Sequence, residues 1–126
     1  LWDAGYATRF PDLDYLHAAV LMSRVVSIPT QDSICLDLGY KALAGEMPHP
    51  RVIFPELPDA SVRAHNEEHL VLQIPTAERF KPGQIVRGIP WHICPTVALH
   101  SEVALVRSGT LSDILPVTAR SRRLEI

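Results

Sequence analysis

The sequence predicts a mainly β protein, an antiparallel barrel-like domain with one or two short helices. Eleven of the 126 residues are proline, about twice the usual share, and most of them border short apolar runs, which favours strands over long helices. Turn signals separate several of these runs, notably Lys81-Pro82-Gly83 and Ser108-Gly109. Many short strands at this spacing are typical of a closed or nearly closed antiparallel barrel.

A hairpin is expected first along the chain. The apolar run 18–28 ends at Pro29. A polar turn at 30–32 and a second apolar run at 33–37 follow it, which is the pattern of two antiparallel neighbours. The remaining strand candidates are 51–54, 61–65, 68–74, 84–91, 96–100, 102–107 and 110–116.

Helix is expected at only two places, around 11–16, where Pro11 could begin a turn, and around 40–43. No internal repeat or linker divides the chain, so residues 1–126 are expected to form one strand domain. The chain opens with Leu1 rather than Met. We therefore expect it to be a fragment of a longer protein.

The composition and charge of the chain argue against several classes of function. Apolar residues make up 47% and charged residues 21% of the chain, as in globular proteins. A formal charge of -2 gives no electrostatic case for nucleic acid or an anionic membrane as the main partner, and no apolar stretch reaches the roughly 20 residues of a spanning helix. The basic residues Arg120, Arg122 and Arg123 are expected to form a solvated end. Two cysteines suggest no disulfide framework, which fits a reducing, cytoplasmic location.

His92 and Cys94 are the residues most suited to chemistry. In a strand, side chains two positions apart share a face about 6–7 Å from each other. Imidazole and thiolate are both zinc ligands, and two protein ligands would leave positions open for water or substrate. The alternative is a half-buried histidine and a small apolar cysteine that merely line a barrel strand.

Four blocks carry a resemblance to a known family. They are Val-Val-Ser at 25–27, Asp-Leu-Gly-Tyr-Lys-Ala-Leu at 37–43, Glu-Glu-His at 67–69 and Pro-Trp-His-Ile-Cys-Pro at 90–95. In this order and spacing the sequence resembles, over nearly its whole length, the C-terminal domain of D-serine dehydratases and D-threonine aldolases. The resemblance implies the alanine-racemase type of fold, with an N-terminal α/β barrel that carries the cofactor lysine outside this chain.

The resemblance also implies the chemistry. The family has a His-x-Cys or His-x-Asp pair for zinc or another divalent metal beside pyridoxal phosphate, and His92 and Cys94 match it in the form nearer the dehydratases. The cofactor serves as the electron sink, and the metal acts on the β-hydroxyl of a D-amino acid, either for β-elimination or for retro-aldol cleavage. The implied partners are the barrel domain, a D-amino acid and a second subunit in a homodimer. Without the barrel, the chain alone is expected to be inactive.

Other residues are assigned around this pair. His69 matches a histidine block of the family and is expected near the substrate or the metal, with a plain polar residue at the start of a strand as the alternative. Lys41 is not expected to be the Schiff-base lysine. Instead Asp37 and Lys41 are expected to pair across a turn that Gly39 permits with a positive φ, at the edge of the site or as a plain structural turn.

The remaining candidates are expected to be structural. Cys35 is expected to be a small buried hydrophobe. The histidines outside any motif, expected to be ordinary surface or half-buried residues, are His17, His49, His65 and His100. The competing interpretation of the whole chain is a stand-alone β-barrel binding or interaction module without catalysis, in which His92 and Cys94 are incidental.

Overall fold

The computed structural model describes residues 1–121 and residue 124. Six strands form one sheet in which every pairing is antiparallel, and the sheet curls into a half-barrel. The strands are β1 (Leu21–Thr30), β2 (Ser33–Leu36), β3 (Val52–Ile53), β4 (Ser61–His65), β5 (Leu70–Gln73) and β6 (Ile85–Pro90), in the sheet order β3-β6-β1-β2-β5-β4. The prediction of a mainly β, barrel-like antiparallel fold is confirmed.

The long strand β1 holds the sheet together. Its first half pairs with β6, with Leu21 opposite Gly88, and its second half pairs with β2, with Val25 opposite Leu36. Ser23 and Val25 are buried while their neighbours are exposed, because alternate side chains of a strand point to opposite faces. The predicted hairpin at the start of the chain is thus present as β1 and β2.

The buried apolar side chains form one hydrophobic core cluster. Its buried members are Val25, Ile34, Leu36, Leu38, Leu43, Val52, Phe54, Leu70, Leu72, Ile74, Ala77 and Val86. They come from five of the six strands and from the loops between them. Burial of apolar side chains of this kind contributes about 1.5–3 kcal/mol each to folding.

Two further strands form a separate hairpin. β7 (Glu102–Arg107) and β8 (Thr110–Pro116) pair with each other as a two-stranded sheet. Ser108 and Gly109 make the turn with φ of 49° and 77°, so this turn prediction is confirmed. Apolar side chains remain exposed on the hairpin at Val103, Val106, Leu111, Ile114 and Leu115.

The helices are not where the sequence predicts them. Helix α1 spans Ala4–Arg9, ahead of the predicted 11–16, and Asp3 is its N-cap. Residues 40–43 form a turn rather than a helix. The strand predicted at 96–100 is wrong, because α2 (Ile93–Val97) occupies its start. Pro95 lies in the first turn of α2, where proline needs no hydrogen-bond partner for its nitrogen.

No helix among residues 1–121 and 124 is long and apolar enough to cross a membrane. At the C-terminus, Arg120 is exposed. The other two members of the predicted basic end, Arg122 and Arg123, lie outside the described residues.

Candidate functional site

His92 and Cys94 lie at the junction between β6 and α2. His92 is the N-cap of α2 with extended backbone angles, φ -130° and ψ 105°, and Cys94 is in the first helical turn. The expectation that both stand on one strand is therefore wrong, since the strand ends at Pro90. Ile93 nevertheless points into the interior with 6% exposure, while His92 is half-buried and Cys94 is exposed. Both potential ligands thus remain accessible from outside.

His92 contacts a carboxylate that no sequence motif indicates. Glu46 Oε1 lies 2.6 Å from His92 Nδ1. An ionised carboxylate can only accept a hydrogen bond, so Nδ1 donates and carries the proton. In the neutral imidazole this leaves the lone pair on Nε2, the atom that binds metals in such arrangements.

The N-terminal helix fixes the backbone on which His92 stands. Asp3 is 2% exposed; its Oδ1 accepts from the Tyr6 N–H at 2.8 Å and its Oδ2 accepts from the Ile93 N–H at 2.9 Å. The Gly5 N–H donates to the Trp91 carbonyl at 2.9 Å. A Cβ on Gly5 would lie only 2.7 Å from that oxygen, so glycine is required for this approach.

A cavity opens next to His92. Its lining residues are Asp3, Gly5, Tyr6, Thr8, Arg9, Met47, Trp91 and His92. Exposed aromatic side chains continue outward from its rim, with Tyr6 stacked on Phe10 at a ring distance of 6.1 Å. The surroundings of His92 therefore combine a recess, an imidazole and apolar walls.

His69 lies in the loop just before β5 and is exposed. Its carbonyl accepts a hydrogen bond of 2.8 Å from the Asn66 N–H. Among residues 1–121 and 124, no set of three or more His, Cys, Asp or Glu side chains is arranged to hold a metal ion. His69 thus does not complete a three-ligand set with His92 and Cys94, and its role beside the substrate stays a prediction.

The expected ion pair between Asp37 and Lys41 is wrong. Lys41 Nζ pairs with Glu68 Oε1 at 2.6 Å and with Glu67 Oε2 at 3.2 Å, and the hydrogen bonds with these two carboxylates raise the pKa of Lys41. Asp37 Oδ1 instead accepts from Ser23 Oγ at 2.9 Å and from the Arg24 N–H at 2.6 Å. Asp37 therefore stabilises β1, whereas Lys41 joins two loops.

Gly39 does not adopt the positive φ that the sequence suggested, since the glycines with positive φ are Gly83 and Gly109. It is needed for space, because a Cβ there would overlap the Glu67 carbonyl and the Glu68 nitrogen. The Lys41 N–H donates to the Glu67 carbonyl at 3.1 Å in the same contact. Two of the sequence blocks that carry the family resemblance are thus packed against each other.

A second cluster surrounds His65, which the sequence marked as ordinary. Arg51 Nη1 lies 2.9 Å from His65 Nδ1. Arginine can only donate, so Nδ1 accepts and the neutral ring carries its proton on Nε2. Burial first and then the Arg51 charge lower the pKa of half-buried His65, and the same two causes lower the pKa of His49. The rings of His49 and Tyr40 each lie 6.0 Å from the His65 ring.

Both cysteines are free thiols. Cys35 is 9% exposed in β2, which confirms the expected small buried residue. Burial raises the pKa of the Cys35 thiol, and a hydrogen bond with Ser27 acts in the opposite direction. Cys94 is the exposed one of the two and is therefore the thiol open to a metal ion from solution.

The family described as "Putative serine dehydratase domain" matches residues 18–106. This match covers more than half of the chain and includes His92 and Cys94, so the chain belongs to that family. The predicted family is confirmed.

Two relatives differ in how much of them the chain covers. A D-threonine aldolase of Arthrobacter sp. is 34% identical over 109 residues, which are 86% of this chain and 28% of the aldolase. An uncharacterized protein of Mycobacterium tuberculosis is 34% identical over 115 residues, which are 88% of this chain and 86% of that protein. The chain thus spans less than a third of the aldolase and most of the mycobacterial protein.

Solved structures share the fold. The D-threonine aldolase of Filomicrobium marinum superposes with a TM-score of 0.83 at 26% identity, over 94% of this chain and 33% of the enzyme. An alanine-racemase-like protein of Idiomarina loihiensis superposes with a TM-score of 0.63 at 19% identity, over 77% of this chain and 30% of that protein. The D-threo-3-hydroxyaspartate dehydratase of Delftia sp. HT23 superposes with a TM-score of 0.62 at 18% identity, over 78% of this chain and 31% of the dehydratase. The fold is therefore of the alanine-racemase type.

That dehydratase has also been solved as two alanine variants. One replaces a histidine and the other replaces a cysteine two positions later, the cysteine variant being in the metal-free form. In the present chain, a histidine and a cysteine stand at the same spacing at positions 92 and 94.

Proposed function

We propose that this chain is the C-terminal strand domain of a lyase that depends on pyridoxal phosphate and zinc and acts on D-β-hydroxy amino acids. The reaction is β-elimination of the dehydratase type or retro-aldol cleavage of the aldolase type. Membership of the family and the partial coverage of the aldolases support this proposal. The observation that carries it is His92, with its Nδ1 held by Glu46, two positions before the exposed Cys94 in the sequence.

The donor set fits zinc. Imidazole nitrogen and thiolate sulfur are the ligands that zinc prefers, and the hydrogen bond from His92 Nδ1 to Glu46 leaves Nε2 as the donor atom. Two protein ligands leave coordination positions free for water and for a substrate hydroxyl, as a catalytic site requires. The histidine and cysteine variants of the dehydratase support the same assignment for His92 and Cys94.

A bound zinc ion supplies Lewis acidity at the substrate's β-hydroxyl, and pyridoxal phosphate supplies the electron sink. The chain's own residues prepare this chemistry. His92 and Cys94 present a nitrogen and a sulfur, while Asp3 and Gly5 fix the backbone from Trp91 to Ile93 through the bonds of α1. The cavity beside His92, lined among others by Tyr6, Met47 and Trp91, gives a small amino acid room to approach.

The cofactor lysine belongs to another domain in this proposal. Lys41 is bound by Glu67 and Glu68 on the surface, so it is not free to form a Schiff base. The partner is an N-terminal α/β barrel of the same protein, and the whole enzyme is a cytoplasmic homodimer. The exposed aromatic residues of α1 and the apolar side chains of the β7–β8 hairpin support contacts with such partners.

The test uses the complete protein that contains this domain, with D-serine and D-threonine as substrates. Cys94→Ala is expected to remove most of the metal-dependent lyase activity and to leave the absorbance of bound pyridoxal phosphate unchanged, because the cofactor is held by the other domain. Cys35→Ala is the matched control and should retain activity. Full activity of Cys94→Ala after chelation of metal would refute the metal role.

The second candidate is a stand-alone binding or interaction module without catalysis. It is favoured by the uncharacterized mycobacterial protein, 86% of which the chain covers. The reading frame upstream of Leu1 separates the two candidates. A barrel with a cofactor lysine supports the lyase, and a natural start close to Leu1 with no second domain supports the module.

A further inference from the structure

We infer that Glu46 is a positioning residue for the metal site, holding the His92 imidazole in the tautomer and orientation that present Nε2 to the ion. This inference rests on the proposed function. Glu46 lies in a loop distant in sequence from His92 and belongs to none of the four blocks that carry the family resemblance. The inference assigns a role to the hydrogen bond between Glu46 and His92.

The geometry of the contact supports the role. The two atoms lie 2.6 Å apart, and the two side chains have exposures of 42% and 43%. The short separation fits a hydrogen bond to a charged acceptor, which is stronger and more directional than a neutral one. Nδ1 is therefore engaged by Glu46, while 42% of the His92 side chain stays exposed. A histidine that is held by a carboxylate on one nitrogen and binds metal with the other is a recurrent arrangement.

The loop that carries Glu46 is tied to the backbone of His92. Thr96, which is 1% exposed, donates from Oγ1 to the His92 carbonyl at 2.8 Å and accepts from the Ala44 N–H at 3.3 Å. On the other side of Glu46, Arg51 Nε donates to the Met47 carbonyl at 2.6 Å. Both flanks of the loop are thus fixed by hydrogen bonds that need no metal.

This support makes the arrangement preorganised. A free imidazole in water rotates and exchanges its proton between the two nitrogens. If the fold selects one rotamer and one tautomer before the ion arrives, metal binding costs less free energy for ordering the histidine. Carboxylate partners of this kind typically change metal affinity by about 10- to 100-fold.

The first measurement is the nitrogen NMR spectrum of the His92 ring in the metal-free chain, at a pH where the ring is neutral. The wild type is expected to show the Nδ1–H tautomer in excess. Glu46→Ala is expected to shift the equilibrium toward Nε2–H, which a purely structural loop residue would not do. An unchanged tautomer ratio in Glu46→Ala would overturn the inference.

The second measurement is zinc affinity by competition with a chromogenic chelator. Glu46→Ala should weaken zinc binding by about 10- to 100-fold, and Glu46→Gln, which keeps an acceptor without the charge, should weaken it less. Glu56→Gln is the matched control, because the Glu56 side chain is 42% exposed and is paired with Arg87; it should bind zinc like the wild type. Circular dichroism verifies that each variant is folded.

The outcomes separate this inference from the proposed function. If Cys94→Ala and His92→Ala abolish zinc binding while Glu46→Ala binds like Glu56→Gln, the metal site stands and the role of Glu46 is refuted. If the wild type binds no more zinc than His92→Ala, both the metal site and the role of Glu46 are refuted.

Discussion

Asp3 accepts a buried hydrogen bond from the backbone N–H of Ile93, 90 residues further along the chain. The same carboxylate caps α1 through the Tyr6 N–H. One side chain therefore joins the start of α1 to the start of α2, between the two potential metal ligands in sequence. The N-terminal segment is thus a structural part of the site.

Asp3→Ala is expected to lower the free energy of unfolding by more than about 2 kcal/mol. The substitution removes a helix cap and leaves the Ile93 N–H buried without a partner, and each loss costs about 1–2 kcal/mol. Urea denaturation measures the effect. Asp12→Ala, at an exposed position in the following loop, is the control, and equal stability of the two variants would contradict the account.

Gly39→Ala is expected to destabilise the chain by about 1–3 kcal/mol, because the new methyl group must displace the backbone of Glu67 and Glu68. Gly45→Ala is the matched control. A Cβ at Gly45 would have its nearest neighbour, Tyr40 Cβ, at 3.4 Å, which is close to ordinary contact. Thermal unfolding compares the two variants, and a Gly39→Ala protein as stable as Gly45→Ala would show that the two loops are not packed as described.

Stability is expected to depend on pH through the His65 cluster. Burial and the Arg51 charge lower the pKa of His65 in the folded state, whereas the unfolded chain has an ordinary pKa of about 6.5. As the pH falls below about 6.5, the unfolded state takes up the proton first, so the free energy of unfolding decreases. Above that pH His65 is neutral in both the folded and the unfolded state, so it no longer changes the free energy of unfolding.

His65→Gln tests this dependence, since glutamine can still accept from Arg51 but does not titrate. Denaturation at a series of pH values from neutral to mildly acidic should show a shallower loss of stability in His65→Gln. The double variant with His49→Gln should be shallower still, because the pKa of His49 is lowered for the same reasons. A double variant with the wild-type slope would contradict this interpretation.

The strands with strong local signals could be predicted from the sequence. β4, β7 and β8 have the bounds that their apolar runs and flanking turns indicate. The second hairpin was predictable because Ser108-Gly109 is a turn signal by itself. In these segments local propensity and the final fold agree.

The site could be predicted only in part, because its geometry depends on long-range contacts. Thr96 and Val97 are β-branched and favour a strand, yet the bonds from Ile93 to Asp3 and from Thr96 to the His92 carbonyl make the segment a helix. Glu46 is 46 residues away from His92. No local pattern indicates such a contact.

The ion pairs of Lys41 also could not be predicted from local sequence patterns. Asp37 was the nearest acid in sequence, but the fold brings Glu67 and Glu68 closer. Pairing between charges of adjacent loops follows from how the loops are packed, which a single sequence does not reveal. The blocks at 37–43 and 67–69 contact each other through these charges, and only the fold shows which charges pair.

The central claim is that His92 and Cys94 bind one divalent metal ion together, and cobalt absorption tests it most directly. Cobalt replaces zinc in tetrahedral sites, and a thiolate ligand gives it an intense near-ultraviolet charge-transfer band. With excess cobalt, the wild-type chain and Cys35→Ala are expected to show this band, while Cys94→Ala lacks it and His92→Ala needs much more cobalt. No band in the wild type, or a band that persists in Cys94→Ala and disappears in Cys35→Ala, would contradict the claim.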